Sequence, residues 1–120
     1  MKGSSRRGVT FETVRRAALS LLNVEEGTAW GFPAFRTGGK LFLCFREDLE
    51  SIVVRASFEQ RDEMIAADPE TYYTTDHHRN YPWVLARLSK LHPDAVHELL
   101  QISQRSAAQK KPRARQIRSS

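Results

Sequence analysis

The sequence predicts an α+β fold, an antiparallel β-sheet with helices packed on one face, in the order helix, four strands, helix, two strands, helix. Three observations predict it. Segments with apolar residues three and four apart alternate with segments of period two. Gly38-Gly39 and the polar run Glu47-Asp48-Leu49-Glu50 join successive alternating segments by short turns, as antiparallel neighbours require. The 120 residues give room for one domain, and no internal repeat divides them.

The first helix starts from Thr10 as N-cap, with Glu12 in the first turn where a carboxylate suits the helix dipole. Phe11, Val14, Ala18, Leu21 and Leu22 form its apolar stripe, and it is expected to end near Asn23. Residues 25–37 are aromatic-rich and broken by Gly27, Gly31 and Pro33, which reads as short strands around a turn. After Gly38-Gly39, residues 40–46 alternate. Leu41, Leu43 and Phe45 are expected on one face, Phe42, Cys44 and Arg46 on the other. Residues 51–56 alternate too, with Ile52, Val54 and Ala56 opposed to Val53 and Arg55.

Ser57 and Gln60 make the Ser-x-x-Gln pattern of a capping box, opening a helix to about Ala67 with Phe58, Met64 and Ile65 facing inward. Asp68-Pro69 ends it. Residues 71–75 read as a short strand and 76–80 as a loop; a strand over 83–88 follows Tyr81-Pro82. His92-Pro93 opens the last helix, since proline fits the first helical position, and Val96, Leu99, Leu100 and Ile102 line it.

Charge divides the chain differently. The pI of about 9.8 suggests a basic protein. Yet residues 1–8 hold Lys2, Arg6 and Arg7 with no acid, and residues 105–120 hold Arg105, Lys110, Lys111, Arg113, Arg115 and Arg118 with no acid. Residues 9–104 carry ten basic and fourteen acidic side chains, a net charge of −4. Residues 1–9 are therefore expected to be a flexible basic end, 10–105 the domain, and 106–120 a disordered basic tail. Cys44 is the only cysteine, which excludes an internal disulfide and suits a reducing, cytoplasmic setting. No apolar run reaches the ~20 residues of a membrane span, and the N-terminal charges are not followed by the apolar stretch of a secretory signal.

Four segments together, GTAWGFPAF (27–35), GKLF (39–42), SFEQRDEMIAADPETYYTT (57–75) and HHRNYPWV (77–84), resemble the MmcQ/YjbR-like family of small bacterial proteins. The resemblance covers roughly residues 10–104, through Gly27, Trp30, Gly31, Pro33, Phe35, Lys40, Phe42, Pro69, His77, Tyr81 and Pro82. It departs at His78, where an aromatic residue is expected, and at Asn80, where glycine is common. The resemblance implies a CyaY-like fold and a DNA-binding label, through similarity to a double-wing DNA-binding module. It implies no catalytic residues.

Three surfaces are candidates for function. If one sheet face meets the helices, the other presents Lys40, Phe42, Arg46, Val53 and Arg55, with Arg36, Trp83, Leu85 and Arg87 beside them. Guanidinium forks interleaved with aromatic rings suit phosphates and stacked bases, so the partner they fit is DNA or RNA. The alternative is a solvated face whose arginines pair with Glu47, Glu50 or other acids. The second candidate is the loop of His77, His78 and Arg79 with Tyr81, able to hold an anion or move a proton, or else simply folded over the sheet edge. The third is the tail, whose Lys110, Lys111, Arg113 and Arg115 would attract nucleic acid without sequence preference, or only aid solubility.

No metal or cofactor is expected. His77 and His78 are adjacent, and His92 and His97 miss the i, i+4 spacing that shares a helix face. Cys44 reads as packed rather than reactive. The expectation is a non-catalytic nucleic-acid-binding domain, monomeric or weakly dimeric, with small-ligand or protein-partner binding on the open face and the 77–83 loop as the alternative.

Overall fold

A computed structural model describes residues 8–108. The elements are α1 (Phe11–Leu19), β1 (Val24–Ala29), β2 (Phe32–Thr37), β3 (Lys40–Phe45), β4 (Ser51–Arg55), α2 (Phe58–Ala67), β5 (Tyr72–Tyr73), β6 (Trp83–Arg87) and α3 (Pro93–Ala108). The strands form one sheet in the order β1-β2-β3-β4-β6-β5, antiparallel at every pairing. Residues from all three helices pack with Phe35, Leu43, Phe45, Ile52, Val54, Val84 and Ala86 in one core. This is the expected α+β architecture.

Local chemistry sets the helix starts. Thr10 Oγ1 accepts from the Thr13 N–H at 3.2 Å. At α2 the capping box is closed in both directions, with Ser57 and Gln60 each accepting the other's backbone N–H at 3.0 Å. The first helix is shorter than its apolar pattern. Asn23 takes a left-handed φ of 63° that starts the turn into β1, so the helix stops at Leu19 and Leu22 is left 82% exposed.

Two boundaries also move. Gly8 and Val9, expected to be flexible, donate backbone N–H groups to Leu91 and Leu88, both at 2.8 Å. The last helix runs past the expected boundary at 105, and Ala107 is buried in the core. The rest of the tail, including Lys110, Lys111, Arg113 and Arg115, lies outside the described residues.

The largest correction lies in β3. Between Phe35 and Arg36 the β2–β3 register shifts, so that Phe35 faces Leu43 but Arg36 faces Leu41. This bulge reverses the alternation within β3. Phe42, expected on the open face, is fully buried in the helix-side core; Leu41 packs instead with Ala29, Ala34 and Cys44 on the opposite face. Lys40 pairs with Thr37, whose hydroxyl accepts from Gln104 of α3 at 3.3 Å, so Lys40 also leaves the open face. The bulge frees backbone groups, and side chains satisfy them. Ser103 of α3 donates its hydroxyl to the Phe42 carbonyl at 2.5 Å and accepts the Arg55 N–H at 2.6 Å. Arg55 Nε donates to the Leu41 carbonyl at 2.5 Å.

Two hairpins have the same two-residue turn with both central residues at positive φ: Gly38-Gly39 at 58° and 81°, Trp30-Gly31 at 53° and 84°. Glycine adopts these angles freely. A side chain there costs about 1–2 kcal/mol, and Trp30 bears that cost while 79% exposed.

Candidate functional site

The sheet face away from the helices carries the site. β4 supplies Ser51, Val53 and Arg55, and its register sets them against Arg87, Leu85 and Trp83 of β6. Tyr73 of β5 lies opposite Leu85 and covers this end of the face, with Arg87 over its ring at 4.1 Å. Its hydroxyl donates to Ser51 Oγ at 3.1 Å and accepts from Arg46 at 3.4 Å. Leu85 is completely buried as a result, so half of the open face is roofed.

The other half is a cleft of about 570 Å³. Trp30 and Phe32 of the first hairpin line one side; His77, His78 and Tyr81 line the loop side. Trp83, Arg46, Val53, Leu41 and Cys44 complete it, with Glu47 as its acidic residue. Tyr81 is 56% exposed.

The arginines of this face are held by carbonyls and rings rather than acids. Arg36 donates to the Thr28 carbonyl at 3.1 Å, and Arg87 to the Glu70 carbonyl at 2.9 Å. Arg55 sits over the Trp83 ring at 4.7 Å. Burial lowers its pKa, which marks the cost of desolvating a cation that no carboxylate answers. None of Arg36, Arg46, Arg55 and Arg87 forms an ion pair among the described residues. Arginines elsewhere do: Arg15 with Glu26 and Glu12, Arg16 with Glu12, Arg61 with Asp62, Arg79 with Asp76. Glu25 stands opposite Arg36 in the β1–β2 register without bridging it. The expected alternative, arginines paired to Glu47 or Glu50, is not what the face contains.

The loop between β5 and β6 is built from within and from α2. The His78 N–H donates to the Thr75 carbonyl at 3.0 Å, and Thr75 Oγ1 lies 2.8 Å from His78 Nδ1. Burial holds the His78 pKa below its ordinary value, with His77 and Arg46 adding to the effect. Arg61, outside the apolar stripe expected for α2, is buried and donates to the carbonyls of Arg79 at 2.8 Å and Tyr81 at 3.3 Å. Phe58, expected inside, is 46% exposed with the Arg61 guanidinium over its ring at 5.0 Å. A buried guanidinium clamps two loop carbonyls, and so fixes the loop's approach to the cleft.

Of the sequence candidates, Arg46, His77, His78, Tyr81 and Trp83 converge on the cleft. Arg36, Arg55 and Arg87 share its face but do not line it. Arg79 turns to Asp76 at 2.8 Å and does not join. Trp30 and Phe32 escape sequence reasoning as site residues, although an aromatic residue directly before the turn glycine is a visible signal of a displayed ring. Burial pushes the Cys44 thiol pKa up, and it donates to the Phe45 carbonyl at 3.4 Å, which leaves it a poor nucleophile. Among the described residues no group of three His, Cys, Asp or Glu side chains could hold a metal ion, and no helix is long and apolar enough to cross a membrane.

Fold and site define a small α+β domain with an aromatic-walled cleft on the helix-free side of its sheet, beside arginines of the same face. The chain belongs to the YjbR family, whose model matches residues 19–105. It is similar to Deinococcus radiodurans protein DR2400, a crystal structure with the family-model domain DUF419. That likeness has a TM-score of 0.67 at 17% identity and covers 86% of this chain and 79% of the other, which establishes the shared fold. No curated protein matches the chain.

Proposed function

We propose that this domain binds nucleic acid through the helix-free face of its sheet and performs no chemistry on it. The observation that carries the reading is the set of four guanidiniums, Arg36, Arg46, Arg55 and Arg87, on one face with no carboxylate partner among the described residues. A domain of net charge −4 repels a polyanion as a whole, but that charge is not evenly spread. Glu59, Asp62 and Glu63 belong to α2, Asp94 and Glu98 to α3, and Glu12 and Glu26 are taken by Arg15, while Glu25 and Glu47 lie beside the four guanidiniums and are outnumbered by them. A local cationic face on an acidic body supports weak binding dominated by phosphate contacts.

The test is a titration of the full chain with mixed-sequence oligonucleotides across a range of salt. The comparison is a triple variant, Arg36→Ala, Arg46→Ala and Arg87→Ala, which spares Arg55 because it supports the β3 bulge. The variant should bind more weakly, with a log–log salt slope shallower by roughly two units. An unchanged slope would remove the sheet from the interface, and absence of binding at low salt would overturn the reading.

A second reading, a small planar anion in the cleft, is supported by the cleft's volume of about 570 Å³ and by aromatic rings that surround Arg46, His77 and His78.

A further inference from the structure

Trp30 occupies a turn position for which the neighbouring hairpin uses glycine, and its ring is displayed to solvent at the cleft. Neither local conformation nor burial explains the indole there. Strain kept at an exposed position points to a use outside the fold. The cleft's loop side shows a second exposed aromatic ring, that of Tyr81, whose backbone carbonyl accepts from Arg61 at 3.3 Å. Arg46 lies between the two polar sources of the site, the histidine loop and the Tyr73 hydroxyl.

Exposed rings beside guanidiniums that no carboxylate neutralises suit a polymer that offers flat apolar faces and phosphates together. In a duplex the base faces are buried in the stack, and only phosphates and groove edges reach a protein surface. A single strand can turn a base out and lay it on an aromatic ring. We propose that the cleft takes an unstacked base of a single-stranded nucleic acid, stacked on Trp30 and Tyr81, with flanking phosphates on Arg46 and Arg36. This rests on the nucleic-acid reading above and specifies its ligand.

The experiment uses the full chain with one labelled mixed-sequence oligonucleotide, offered single-stranded, as a duplex, and as its free mononucleotides. Variants Trp30→Asn, Trp30→Phe and Tyr81→Ala are compared with the parent by anisotropy and thermal unfolding. Asparagine tolerates positive φ, so Trp30→Asn should unfold at an equal or higher temperature. It should nonetheless lose roughly ten-fold in single-strand affinity, with duplex affinity unchanged and Trp30→Phe retaining most of the binding. Because the chain has two tryptophans, quenching lost in Trp30→Phe would place the base at Trp30 rather than Trp83. Equal affinity for duplex and single strand, both indifferent to Trp30→Asn, would overturn the stacking proposal while leaving phosphate binding intact. Mononucleotides binding as tightly as the strand would overturn it in favour of a small-ligand site. No binding of any form at low salt would overturn the nucleic-acid reading itself.

Discussion

At the scale of single residues, His78 couples the cleft to pH. Its imidazole is partly desolvated and faces His77 and Arg46, so folding favours the neutral ring. The unfolded chain then binds more protons than the folded one between the lowered folded pKa and the ordinary value of about 6.5. The stabilisation is complete above that ordinary value and is lost as pH falls toward the folded one. Urea unfolding from about pH 7.5 down to about pH 5 should therefore show a fall in stability that His78→Gln makes shallower. A variant with the same pH profile as the parent would remove His78 from this role. Single residues are also where sequence reading fails most informatively. Phe58 leaves its expected inward place while Arg61 is buried, because a guanidinium with two carbonyl acceptors is a tertiary arrangement, made with Arg79 and Tyr81 of a later loop. No helical periodicity carries that information.

At the scale of elements, the β3 bulge decides which side chains form the site. Period-two reading puts Leu41 with Leu43 and Phe45, and puts Phe42 and Lys40 on the open face. The bulge sends Phe42 inward and Leu41 outward to the cleft. Ser103 makes this tolerable, since its hydroxyl links the Phe42 carbonyl and the Arg55 N–H within the core. Ser103→Ala leaves both backbone groups without that partner and should cost about 1–3 kcal/mol, read as a lowered denaturation midpoint. A midpoint equal to the parent's would mean that the strands close the gap themselves. By contrast, the turns and caps are legible. Gly38-Gly39, Thr10, the Ser57 and Gln60 box and Pro93 act through neighbours within a few residues, so their outcome is written locally.

At the scale of the whole molecule, two sources of positive charge are separable. Lys110, Lys111, Arg113, Arg115 and Arg118 lie beyond the domain in sequence, whereas Arg36 and Arg46 belong to the sheet and its adjoining turn. Ending the chain after Ala108 keeps Ala107 in the core; a cut at 106 would remove it. The chain ended after Ala108 should bind single strands with a shallower salt slope, by roughly 0.7 for each phosphate that the tail neutralises, and keep its preference over duplex. Disappearance of that preference with the tail would assign the discrimination to residues outside the sheet.

Periodicity and contacts within one turn of chain are enough to specify the class of fold, the order of its elements, most helix starts and the glycine turn at Gly38-Gly39. The sequence also locates the charge in the ends and a reserve of arginines in the strands. Long-range packing was needed to settle which of those arginines share a face, that carbonyls and rings rather than carboxylates hold them, and that Trp30 and Tyr81 flank one cleft. Those outcomes depend on strand register and on partners such as Ser103 and Arg61 far along the chain. A shift of one residue in β3 exchanges core for surface, and alternation read from sequence cannot show that shift.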